Sequence, residues 1–229
     1  MHPLDNAIWK ALTSVQTSFG RGDDQARRFH PEVSLLGAVA QPSPGAFHSL
    51  AAITGQDAVG LVVDDPSSIT ADWTVKASVS ISRMVHENSE SADANARDRG
   101  PGFELLGDKD SPEMMELTQL TRPGPFGPRT HTLGTYIGIR QQGRLAAMAG
   151  ERLRLPGYTE ISAVCTHPDF LGRGYAGFLM RELITQIRRR REVPFLHVRP
   201  ENERAIAIYK RLGFVEVFRG HYVIIKPSP

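Results

Sequence analysis

Residues 160–181, EISAVCTHPDFLGRGYAGFLMR, decide the fold. The run up to Thr166 suits a strand, and His167-Pro168-Asp169 stops it, because proline lacks the N–H that a strand ladder needs. From Gly174 to Arg190, the residues Ala176, Leu179, Leu183 and Ile187 recur on one helical stripe. The unit is therefore a strand, a glycine turn and a helix. The first N–H groups of such a helix have no partner within it, point outward and lie at the positive end of the macrodipole, so they form a nest for phosphate oxygens. Gly172 and Gly174 let an anion approach the main chain, and Arg173 between them adds a guanidinium.

The same residues satisfy GxGxxG through Gly172, Gly174 and Gly177, the pattern of a dinucleotide-binding turn. Three features oppose that reading. Five residues, His167 to Leu171, separate the strand from the first glycine; the next strand lacks a timely terminal acid, Glu201 coming late; and too little chain follows for a doubly wound sheet. A Walker A loop is excluded, because no Gly-Lys-Ser/Thr occurs.

Downstream, Pro194 to Val198 reads as a buried strand and Asn202 to Leu212 as a short helix ended by Gly213. Tyr209 shares the stripe of Ala205, Ile208 and Leu212, which suits either a core tyrosine or a functional one. Taken together, the glycine turn and the stretch Asn202-ER-Ala205-IAI-Tyr209-KRL-Gly213-Phe214 resemble the GCN5-related N-acetyltransferase superfamily, in its FR47-like branch, over about residues 103–225. The family's pyrophosphate loop, Gln/Arg-x-x-Gly-x-Gly/Ala, falls on Leu171-Gly-Arg-Gly174-Tyr-Ala176, with Leu171 departing from the pattern. The second family signature stands intact.

The resemblance implies an α/β (α+β) fold with a mixed, twisted central sheet flanked by helices. It implies an acetyl-CoA-dependent N-acetyltransferase in which an amine attacks the thioester directly. Val164, Cys165 and Thr166 would offer main-chain groups to the pantetheine arm, and Leu171, Gly172, Arg173, Gly174, Tyr175, Ala176 and Gly177 would hold the pyrophosphate. Asn202 would cap its helix and touch the same arm. Tyr209 would be the general acid, because a phenol near pKa 10 stays protonated while a thiol near 8.5 departs. Glu160, eleven residues before Leu171, is the candidate general base if its surroundings raise its pKa, with Glu151 as the fallback. Phe126, Arg129 and His131 are candidates for the acceptor pocket. Cys165 reads as a small buried hydrophobe rather than a nucleophile.

Working back toward the N-terminus, Tyr158 to Thr166, Arg144 to Arg152, Thr135 to Arg140 and Phe103 to Leu106 read as strands, and Ser111 to Leu120 as a helix with proline in its first turn. Arg122 to His131 is a proline-rich loop. Residues 86–102 lack large apolar side chains and are expected to be a mobile linker or long hairpin loop. They divide residues 1–100, an N-terminal α+β region read by analogy as a degenerate half of the same fold, from an acetyltransferase domain over 101–229. In the first region Asp5 is expected to cap a helix from Asn6 to Val15, and Thr74 to His86 alternates like a half-buried strand.

Composition limits the alternatives. Among 229 residues with a net charge of +2, the segment 151–229 carries 14 Lys/Arg against 8 Asp/Glu, so a compact anion prefers the C-terminal third, while the overall balance argues against nucleic acid as partner. The Arg188 to Arg191 run suits a helix C-terminus. One cysteine and scattered histidines give no metal site. No apolar run is long enough for a membrane span, and no export leader opens the chain, so a cytoplasmic location, as monomer or homodimer, is expected. The competing functions are a non-catalytic acyl-CoA-binding module and a dinucleotide-dependent oxidoreductase.

Overall fold

The computed structural model describes residues 2–87 and 100–228. Of the expected linker, residues 88–99 lie outside the described residues. The strands are β1 (Gly20–Gly22), β2 (Ala26–Phe29), β3 (Gly37–Val39), β4 (Val59–Val63), β5 (Trp73–His86), β6 (Glu104–Leu106), β7 (Tyr136–Gln141), β8 (Arg144–Leu155), β9 (Tyr158–Thr166), β10 (Val193–Val198) and β11 (Phe214–Pro227). The helices are α1 (Ala7–Leu12), α2 (Pro44–Thr54), α3 (Ser111–Thr121), α4 (Tyr175–Arg189) and α5 (Glu203–Arg211).

Eight strands form one sheet in the order β4-β11-β5-β10-β9-β8-β7-β6, and β1-β2-β3 form a small second sheet. Within the large sheet only β9 and β10 run parallel, because the crossover through α4 joins them. β4 and β5 precede residue 100, yet β5 lies between β10 and β11. The sheet therefore does not divide at residue 100. The apolar stretches Phe214 to Phe218 and Tyr222 to Ile225 belong to one strand, β11, irregular between Glu216 and Phe218.

Helices cover both faces of the sheet. Along β10, Phe195 packs with α1 while Leu196 and Val198 pack with α4, as alternate side chains of a strand must. The α4 stripe of Leu179, Met180, Leu183, Ile184 and Ile187 is buried against Ile137, Ala147 and Leu196. Each such burial contributes about 1.5–3 kcal/mol. At α2, Pro44 opens the helix and the Ser43 hydroxyl accepts from the Ala46 N–H at 3.2 Å.

One local expectation is corrected. Asp5 does not cap α1: its carboxylate accepts from the His2 N–H at 2.6 Å, and Asn6, at φ 50°, takes the N-cap position without a side-chain cap. The helix ends at Leu12, where Thr13 turns off.

Candidate active site

The site begins where two parallel strands part. β9 and β10 pair only through Val193↔Tyr158, Pro194↔Thr159 and Phe195↔Glu160; beyond these, β10 stays with β5 and β9 with β8. On the β8 side of β9, Met148 faces Cys165 and Gly150 faces Ser162, so β9 holds one extra residue there. Ala163 takes it up at φ 53°, a left-handed conformation costing a residue with a Cβ roughly 1–2 kcal/mol. Beyond the bulge Cys165 and Thr166 stay paired with β8, while the β10-facing edge of β9 after Glu160 has no strand partner. A cavity of about 960 Å³ fills the gap between the strands.

At one end of this cavity stands the start of α4. Gly172 (φ 79°) and Gly174 (φ 76°) adopt the left-handed region, and no heavy atom lies within 4 Å of where a Cβ would stand on either. Gly174 is the N-cap, no side chain caps the helix, and its first turn carries no acid. The N–H groups of that turn are left for an outside acceptor, as suits an anion. Arg173 lies 5.2 Å from the Phe170 ring centroid, which holds its guanidinium beside the turn.

Val164, Cys165, Thr166, Leu171 to Gly177, Asn202, Tyr209 and Phe126 all line the cavity. Asn202 Oδ1 accepts from the Ala205 N–H at 3.1 Å, so it caps α5. The Tyr209 hydroxyl makes no hydrogen bond among the described residues, and burial pushes it up to about 12. Burial also pushes the Cys165 thiol up to about 12, which removes it as a nucleophile at neutral pH.

Two of the expected acceptor residues lie elsewhere. Arg129 faces Glu32 at 3.7 Å, and the His131 ring meets Asp108 at 2.7 Å; both tether the loop to its neighbours. Phe126 lines the cavity and packs edge-on against Tyr136 with ring centroids 5.7 Å apart.

Neither glutamate is on the cavity wall. Glu151 is buried and paired with Arg190 at 2.7 Å. Glu160 is 0 % exposed; it receives Arg152 Nε at 2.9 Å and Nη2 at 2.7 Å, and meets His197 Nδ1 at 2.7 Å. Burial alone would raise its carboxyl, but the Arg152 guanidinium and the His197 ring outweigh that and hold it well below the usual carboxylate range. The raised pKa that a base would require is therefore not met. Sequence reasoning missed the rest of this network. Arg83 Nε donates to His197 Nε2 at 3.1 Å and stacks 4.5 Å from the Phe218 ring centroid, while burial lowers His197 and keeps it neutral. The only signal for Arg83, Arg152 and His197 was that each polar residue interrupts an apolar strand.

Known proteins share this architecture. Residues 136–223 match the family described as FR47-like protein. A crystal structure of a GNAT-family protein from Novosphingobium aromaticivorans is 34% identical, with full coverage of both chains and a TM-score of 0.89. A GCN5-related N-acetyltransferase from Kribbella flavida has the same fold at 14% identity and a TM-score of 0.62, over 97% of this chain and 96% of that one. N-alpha-acetyltransferase RimI of Mycobacterium tuberculosis is 38% identical over 85 residues, which are 36% of this chain and about half, 52%, of that protein.

Proposed function

We infer the activity from kinship and cavity together: this chain belongs to the GCN5-related N-acetyltransferase family and is an acetyl-CoA-dependent N-acetyltransferase. The observation that carries the reading is that one cavity holds the glycine-turn nest, the freed edges of β9 and β10, and an unpartnered tyrosine hydroxyl.

The pyrophosphate sits on the first turn of α4 with Arg173 beside it, and the pantetheine arm runs between β9 and β10 against main-chain groups of Val164, Cys165 and Thr166. An amine from the open side attacks the thioester carbonyl; the C–N bond forms and the C–S bond breaks. Tyr209 gives its proton to the departing sulfur, since a hydroxyl pushed up to about 12 is protonated throughout the neutral range. Direct attack is favoured over an acetyl-cysteine intermediate by the raised thiol of Cys165.

The amine's proton leaves through water. Glu160 serves as a buttress that orients Arg152 and His197, consistent with its depressed pKa. Residues before 100 belong to the acceptor side, because Ile8, Leu36, Val62, Val79 and Ile81 line the same cavity. Among the described residues no helix is long and apolar enough to cross a membrane.

The test is calorimetric titration of the full chain with acetyl-CoA, then release of free thiol in the presence of amines. Binding with amine-dependent thiol release is expected. Binding of NAD in place of acetyl-CoA, or thiol release at the same rate without any amine, would refute the reading.

A further inference from the structure

The cavity has a one-sided charge. Arg122, Arg152, Arg173, Arg199 and Arg204 line it, and among the described residues no aspartate or glutamate does. Arg173 stands at the glycine turn, and Arg199 and Arg204 bracket Asn202 in sequence. Arg152 is set apart from these. It is near Tyr222, which packs with Ile8, Leu36 and Val62 in the cluster beneath α1, on the face opposite α4. Arg152 spends Nε and Nη2 on Glu160, while Nη1 has no partner among the described residues. The Tyr222 hydroxyl is buried and also lacks a partner. This wall is otherwise apolar, with Val79, Ile81 and Ile224 completing it.

An acceptor for such a lobe must bring an apolar body, an amine and a compensating anion. A polyamine or a lysine-rich peptide would carry cations into a cavity that offers no carboxylate. A protein N-terminus would present an amide where Arg152 offers a guanidinium. Resting on the acetyltransferase reading above, we propose that the acceptor is a free apolar α-amino acid, its carboxylate received by Arg152 and its side chain by the apolar wall. The cations that hold the carboxylate also lower the pKa of the neighbouring ammonium, so the neutral amine forms without a protein carboxylate as base. The ammonium first loses a proton to water and the freed nitrogen attacks. The C–N bond forms as C–S breaks, the nitrogen sheds its second proton to solvent, and the sulfur takes the Tyr209 proton. Solvent then restores that proton. The products are an N-acetyl amino acid and free CoA.

The experiment uses the full chain with saturating acetyl-CoA and a matched acceptor series: leucine, leucinamide, 3-methylbutylamine and spermidine, with methionine and phenylalanine as further free amino acids. Thiol release gives kcat/KM for each, and calorimetry gives acetyl-CoA binding separately. Leucine should exceed leucinamide and 3-methylbutylamine by at least about tenfold, mainly through KM, because their uptake leaves Arg152 Nη1 without an acceptor. Spermidine should be the poorest acceptor. In the double variant Arg152→Met with Glu160→Gln, which removes both buried charges together, the preference for leucine over leucinamide should shrink to within about threefold while acetyl-CoA still binds. If acetyl-CoA does not bind the wild-type chain, the acetyltransferase reading falls and this inference with it. If acetyl-CoA binds but leucinamide or spermidine matches leucine, or none of the three amino acids reacts, only the acceptor inference is overturned. Discrimination kept in a folded double variant would overturn the role of Arg152.

Discussion

Glu160→Gln separates a buttress from a base. The wild-type carboxylate is fully buried and takes two hydrogen bonds from Arg152 and one from His197. Glutamine keeps the shape and removes the charge, so Arg152 is left as an uncompensated buried cation at a cost of about 3–5 kcal/mol. For a chain of this length each kcal/mol moves Tm by about 2–4 °C, giving a fall of roughly 6–20 °C. The pH dependence carries a sign. A carboxyl whose folded pKa is depressed contributes stability that is complete above its unfolded value, near about 4.3, and is lost as pH falls toward the folded value. The wild type should therefore lose Tm on acidification below about pH 4.5, and Glu160→Gln should flatten that limb. Differential scanning calorimetry across pH measures both, and thiol-release kinetics on the folded variant measure the chemistry. A variant as stable as wild type whose kcat loses its acid limb would refute the buttress and restore the base.

Three other outcomes follow from the site and the fold. Tyr209→Phe should lower kcat by about a hundredfold or more with acetyl-CoA binding intact, and the wild-type rate should show no alkaline loss from Tyr209 below about pH 10, read from a pH–rate profile. Gly174→Ala forces a Cβ onto a left-handed N-cap at a cost of about 1–2 kcal/mol and should weaken acetyl-CoA binding several-fold, measured by calorimetry. Arg28 is 0 % exposed, and none of its guanidinium nitrogens has a hydrogen-bond partner among the described residues; its ion pair with Asp57 spans 3.8 Å. Arg28→Met should raise Tm by several degrees in thermal denaturation, since an apolar chain of similar volume avoids burying a poorly paired charge.

The glycine-turn end of the cavity was legible because its determinants are local. A strand, two glycines at positive φ and a helix start lie within one stretch, and so do Asn202 and Tyr209 on one short helix. The network around Arg152 was not, since it is assembled across the sheet: Arg83, Arg152, Glu160 and His197 come from four strands, and their contact depends on register. The same holds for Arg129 and His131, whose partners Glu32 and Asp108 are remote or lie in another turn. The bulge at Ala163 had no glycine to announce it. The strand Thr74 to His86 was readable from its alternation, but its place between β10 and β11 was not, because strand order is a long-range property.

That interior place of β5 sets a timetable for synthesis. Its two neighbours are among the last strands to be made, and β11 ends at Pro227. A ribosome adding about 5–20 residues each second leaves the nascent β5 with both edges open for roughly six to twenty seconds, until β10 is made. During that interval its alternating face is a target for chaperones or for pairing with another emerging chain. Slowing translation beyond residue 87 should therefore lower the soluble yield of this protein, even though every substitution there is silent.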